Sequence, residues 1–90
     1  MYTLVNKYTG NLIRCTVESD ATCDCGFYYE FNDDGLGLVW STQSLYKAKE
    51  ALTRSSKYPK KFCTESQPST AMSDMSVYEV AEIEFNVQNG

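Results

Sequence analysis

Apolar and polar residues alternate with a period of two in several stretches of this chain and take a helical period in one. Tyr2-Thr3-Leu4-Val5 and Leu12-Ile13-Arg14-Cys15-Thr16-Val17 are rich in apolar and β-branched residues, and the segment between them holds Gly10, which accepts φ > 0. The pattern predicts a β-hairpin over residues 2–17, with Ile13, Cys15 and Val17 facing the core and Leu12, Arg14 and Thr16 facing away. Residues 18–25 are short and polar, which suits a connection. Phe27, Tyr29 and Phe31 alternate with Tyr28 and Glu30, predicting a second hairpin: Phe27 to Phe31, a turn at Asn32-Asp33-Asp34-Gly35, and Leu36 to Ser41, with Leu38 and Trp40 closing the core.

The period changes from about Gln43 to Ser55. Leu45, Ala48, Ala51 and Leu52 fall three and four apart and form one apolar helical face, with Thr42 or Ser41 as N-cap and Pro59 barring continuation. Tyr46, Lys47, Lys49, Glu50 and Arg54 point away from that face, and Glu50 and Arg54 stand in the favourable i, i+4 order for an ion pair of about 0.2–0.5 kcal/mol. A short strand over residues 60–66 with Phe62 inward and a long loop from Gln67 to Ser76 follow. The last strand runs from Val77 to Val87, with Ala81, Ile83, Phe85 and Val87 inward and Glu82, Glu84 and Asn86 outward. The expected fold is α+β, a single compact domain over residues 1–90. It is an antiparallel sheet of about five to six strands, with one helix packed on one face through Leu45, Ala48 and Leu52 against Ile13, Phe27, Trp40 and Ile83.

Charge divides this fold sharply. The net charge is −4, yet six of the eight Lys and Arg residues lie between positions 47 and 61 against the single acid Glu50, leaving that window at +5 and the rest of the chain at −9. The acidic balance argues against general nucleic-acid binding, whereas the window keeps a smaller anion in play. Its cations are interleaved with tyrosines and hydroxyls, and positive charge, planar rings and hydroxyl donors are what a nucleotide or phosphorylated ligand asks for. The candidate ligand-binding residues are therefore Ser44, Tyr46, Lys47, Arg54, Lys57, Tyr58, Lys60 and Lys61. The competing explanation is structural: cations near a helix C-terminus complement its dipole.

The chain contains no histidine, which removes the commonest general base, and no Gly-rich phosphate loop; no enzyme activity, catalytic residue or cofactor is expected. Cys15, Cys23, Cys25 and Cys63 read as ordinary thiols, with zinc and a disulfide as alternatives; Cys23 and Cys25 are separated by one residue rather than two, so no metal site is assigned. Asp33-Asp34-Gly35 lacks the alternating acids and closing Glu of a calcium loop and reads as a turn. No leader pattern and no run of about 20 apolar residues is present, so a cytoplasmic protein without a membrane partner is expected.

The opening Y-T-L-V-N-K-Y-T-G-N-L-I, the aromatic second hairpin and the S-T-Q-S-L-Y-K-A-K-E-A-L helix resemble the small early accessory proteins of tailed bacteriophages. The resemblance carries over no individual residue. It implies a non-enzymatic protein of the host cytoplasm that inhibits or sequesters a host component, including the cyclic-nucleotide messengers of antiviral signalling. Two functions are expected from these readings. The first is sequestration of a small anionic ligand, such as a nucleotide, at the basic window. The alternative is a protein-interaction module that inhibits a host protein through an acidic strand face (Glu79, Glu82, Glu84) or exposed tyrosines. Exposed sheet edges also suggest a homo-oligomer.

Overall fold

The computed structural model describes residues 1–19, 21, 26–54, 67–70, 72 and 75–84. Its elements are β1 (Tyr2–Asn6), β2 (Arg14–Ser19), β3 (Phe27–Asn32), β4 (Leu38–Val39), α1 (Leu45–Ala51), β5 (Ser69–Thr70) and β6 (Tyr78–Glu82). The class is mixed α+β, as expected. The single antiparallel sheet is not found: β1 and β6 form a two-stranded sheet, and a four-stranded sheet has the order β4-β2-β3-β5, with β3 and β5 parallel.

A long-range pairing replaces the hairpin expected over residues 2–17. β1 runs antiparallel to β6, from Tyr2 opposite Glu82 to Asn6 opposite Tyr78. All that forms of the hairpin is a single bridge between Val5 and Leu12, where the Asn6 amide donates to the Asn11 carbonyl (2.8 Å) and the Ile13 amide to the Leu4 carbonyl (2.9 Å). Thr3 and Leu4, on opposite faces of β1, are both fully buried. A strand sealed from water on both faces needs a protein partner along each edge. β6 fills one edge; residues 12–13 and Thr42 fill the other, Tyr2 and Thr42 exchanging amide-to-carbonyl bonds of 2.7 and 2.8 Å. Ile13 ties the two sheets together, since its carbonyl also accepts from the Trp40 amide at 3.1 Å.

The second expected hairpin is also absent, because β2 lies between its two arms. β2 pairs with β3 from Arg14–Asn32 to Ser19–Phe27, and with β4 at Arg14–Val39 and Cys15–Leu38. The six-residue β2 offers β3 a longer ladder than the two-residue β4 could. The 32–35 segment is therefore a corner rather than a hairpin turn. Asp34 Oδ1 accepts from the Leu36 amide (3.0 Å), and Gly37, at φ +81°, then carries the chain past β2 so closely that a Cβ there would strike the Cys15 carbonyl oxygen.

The helix is shorter than its apolar period suggests. Ser44 is the N-cap, its Oγ accepting from the Lys47 amide at 3.2 Å; Thr42 is engaged instead with Tyr2, and its hydroxyl accepts from the Ser44 amide at 3.2 Å. The last turn tightens, with Thr53 donating to Glu50 and Arg54 to Ala51. Ala48 and Ala51 are buried, Leu52 is partly so, and Leu45 is 41 % exposed. Of the expected packing partners, Ile13 and Trp40 are in the core, Ile83 is half-buried and Phe27 is 42 % exposed.

The core gathers Leu4, Ile13, Phe31, Trp40, Ala51, Met75 and Tyr78, and Phe31 meets Trp40 edge-on at 5.1 Å. The expected loop from Gln67 to Ser76 contributes to it: Ser69 and Thr70 form buried β5 beside β3, and Met75 is core. In β6 both sides are engaged: Tyr78 and Val80 pack against the core on one, Ala81 stands opposite the fully buried Thr3 on the other, and beyond them Ile83 is half-buried while Glu82 and Glu84 are exposed, as the alternation expects. The expected strand at 60–66 and the continuation of β6 through Phe85 to Val87 lie outside the described residues.

Candidate functional site

The basic window divides on the fold. Tyr46, Lys47 and Lys49 are exposed on α1, Tyr46 at 75 %, while the Ser44 hydroxyl is committed to its cap. Arg54 turns inward: its side chain is 6 % exposed and lies 3.6 Å from Glu50 Oε1, which also accepts from Gln67 Nε2 at 3.3 Å. The i, i+4 ion pair is thus present, but it buries the arginine rather than displaying it. Lys57, Tyr58, Lys60 and Lys61 lie outside the described residues, as do Cys23, Cys25 and Cys63. The acids Glu79, Glu82 and Glu84 are all exposed, but Glu79 and Glu82 stand on opposite sides of β6, so they do not form one acidic face.

The four-stranded sheet carries a different feature. Residues opposite one another in antiparallel strands share a face, so Leu38, Cys15 and Phe31 form one row, Val17 and Tyr29 the next, and Ser19 and Phe27 the last. These are the residues whose alternation marks an inward face. The core nevertheless covers only the beginning of it: Phe31 is buried and Cys15 half-buried, but Val17 is 59 % exposed, Leu38 81 % and Phe27 42 %, with Tyr29 half-buried between them. A cleft of about 190 Å³ opens here, lined by Cys15, Val17, Tyr29, Leu38, Val39, Trp40 and Ser41, with no Asp, Glu, Lys or Arg in its wall.

The opposite face carries Glu18 and Glu30 beside the buried Tyr28, and the 33–35 corner adds Asp33 and Asp34. Glu18, Glu30, Asp33 and Asp34 line a cleft of about 380 Å³ with Thr16 and Asn32. Asp33 and Asp34 also line a neighbouring cleft of about 480 Å³, between the Gly10 and Gly35 turns, beside Arg14. Arg14 Nη1 donates to the Gly37 carbonyl at 2.8 Å, so part of its guanidinium is already engaged. None of these three clefts is lined by an α1 side chain.

Behind the corner, Asn6 joins three parts of the chain. Its Oδ1 accepts from the Tyr8 and Thr9 amides (2.9 and 3.1 Å), and its Nδ2 donates to Asp33 Oδ2 (3.0 Å). Asn6 faces Tyr78 across the β1-β6 ladder, and the Tyr78 hydroxyl is buried without a hydrogen bond of good geometry, though the Asp33 carboxylate is near enough to act on it. Burial first, and then Asp33, pushes the Tyr78 pKa well above its ordinary value of 10.0. The fold therefore favours the neutral phenol: this contribution to stability is fully present below about pH 10 and is lost as the pH climbs toward the raised value. Tyr78→Phe is expected to leave stability at neutral pH unchanged or raised, because it deletes an unsatisfied hydroxyl, and to flatten the fall above about pH 10. Urea denaturation on both sides of that pH checks it; an unaltered alkaline fall would contradict the assignment. No local pattern in the sequence signals this cluster, since Asn6, Asp33 and Tyr78 are far apart in the chain.

Among the described residues no group of three or more Cys, Asp or Glu side chains is placed to hold a metal ion, and no helix is long and apolar enough to cross a membrane. Comparison with protein-family models, with curated proteins and with solved structures finds no match.

Proposed function

We propose that this chain is a non-enzymatic protein-interaction module that docks a partner on the open end of the β4-β2-β3 face. The observation that carries this reading is the uncapped apolar row, Val17 at 59 % and Leu38 at 81 % exposure around a cleft with uncharged walls. Single exposed apolar residues are ordinary, but a contiguous set on one sheet face is the usual mark of an interaction site. The partner that fits presents apolar side chains to the uncharged cleft and is itself net positive, because the chain as a whole carries −4. With the phage-type resemblance, the partner is a host protein of the cytoplasm and the outcome is its inhibition.

Sequestration of an anionic ligand at α1 is the second reading, favoured by the exposed Tyr46, Lys47 and Lys49. A photoreactive residue separates the two. Placed at position 17 in the producing cell it is expected to trap a discrete protein partner, and placed at position 46 it is expected to trap none. The opposite result, together with a rise in Tm on adding nucleotides or cyclic dinucleotides, would replace docking by ligand sequestration.

A further inference from the structure

We propose that two copies of this chain pair through the free edge of β4, as an antiparallel dimer with two-fold symmetry. β4 ends the order β4-β2-β3-β5, so among the described residues only one of its edges is taken. The ladder identifies the groups left over. The Trp40 amide donates to the Ile13 carbonyl (3.1 Å), which makes Arg14–Val39 the pair that does not exchange hydrogen bonds directly. Leu38 therefore turns its amide and carbonyl toward β2, and Val39 turns both of its own toward the open edge, where they meet no partner among the described residues.

Edge strands ordinarily carry a charge or a proline that discourages further pairing. This edge has neither. From Gly35 to Tyr46 the chain runs for twelve residues without Asp, Glu, Lys, Arg or Pro, although charged residues make up 22 % of the whole sequence. Leu36 and Leu38, at 62 % and 81 % exposure, flank the two Val39 groups with apolar surface.

A second copy is the occupant that suits this edge. An antiparallel edge paired with itself about a two-fold axis is self-complementary: each Val39 amide faces a carbonyl of the other copy. A chain of net charge −4 repels its own copy over most of its surface. The 35–46 stretch is where two copies approach without opposing like charges, and Leu38 of one copy meets apolar surface of the other. Pairing also sets the two open sheet faces side by side. The dimer does not depend on the docking reading, since self-association and partner trapping are measured separately.

Sedimentation velocity of the full chain from micromolar to millimolar concentration tests it. The mass is expected to rise from one chain to two. Two variants check the edge. Val39→Pro removes the outward amide while leaving the bonds to β2 in place. Leu38→Lys sets like charges across the two-fold axis at a side chain that is already 81 % exposed, so the monomer keeps its fold. Each is expected to weaken dimerisation about tenfold or more, with the far-ultraviolet circular dichroism of Leu38→Lys unchanged. A single-chain mass at every concentration, or a dimer equally strong in both variants, would overturn the proposal.

Discussion

Phe31→Ala is expected to cost about 3–5 kcal/mol of stability. Phe31 is 1 % exposed, stands opposite Cys15 on one side and Thr70 on the other, and meets the Trp40 ring edge-on at 5.1 Å. Truncation removes an aromatic side chain from the point where β2, β3 and β5 come together, and with it an edge-to-face ring contact worth about 0.5–1.5 kcal/mol beyond burial. A domain of this size has a total stability of only about 5–15 kcal/mol, so the loss is a large fraction of the whole. Urea denaturation measures the loss. A cost below about 1 kcal/mol would mean that the core is not centred on the Phe31–Trp40 pair.

The second large effect is expected at Gly37. Gly37→Ala should lose about 2 kcal/mol or more, because an L-residue at φ +81° already costs roughly 1–2 kcal/mol and the added methyl meets the Cys15 backbone, which cannot move without disturbing the β2-β4 ladder. Gly10→Ala is the control: its φ is similar, at +77°, but the space around its Cβ is open, so only the conformational part of the cost applies. Parallel denaturation of the two variants isolates the contact term. Equal losses would show that β4 does not press on β2 as closely as described.

The sequence conveys local features of this fold better than its pairings. The alternation of Ile13, Cys15 and Val17, and of Phe27, Tyr29 and Phe31, identifies one common sheet face, because a strand's side-chain period is local. How far that face is covered is not local. Val17 and Leu38 look like core residues in the pattern, and only the placement of α1, β1 and β6 shows that the core stops short of them. The β1-β6 pairing joins Tyr2 to Glu82, a separation over which no turn chemistry operates, so the nearby Leu12-to-Val17 run is the more obvious partner in the sequence. The helix start offers several hydroxyls within four residues, and choosing Ser44 over Thr42 and Ser41 requires knowing that Thr42 is occupied by Tyr2.

For the candidate site, the clustering of cations is visible in the sequence but their accessibility is not. Arg54 and Glu50 have ideal surface spacing, yet Arg54 is buried beside Glu50, and Gln67 joins them from a distant segment. Tyr46, Lys47 and Lys49 do face outward, on a helix that lines none of the three clefts described above. The apolar cleft is hidden in the sequence for the opposite reason, since the alternation of its residues points to the interior.

Val17→Asp tests the central claim most directly, with unfolding and partner trapping measured on the same variant. Val17 is 59 % exposed at the centre of the open face, so a carboxylate there is expected to cost no more than about 1 kcal/mol, the span of strand propensity. The same charge enters an uncharged cleft and should abolish trapping of the partner by a photoreactive residue at position 27, which shares this face but lies on β3, away from the β4 edge. Near-native stability with lost trapping is the predicted result. A destabilisation of about 2 kcal/mol or more with trapping retained would contradict it, making Val17 part of the core and placing the docking surface elsewhere.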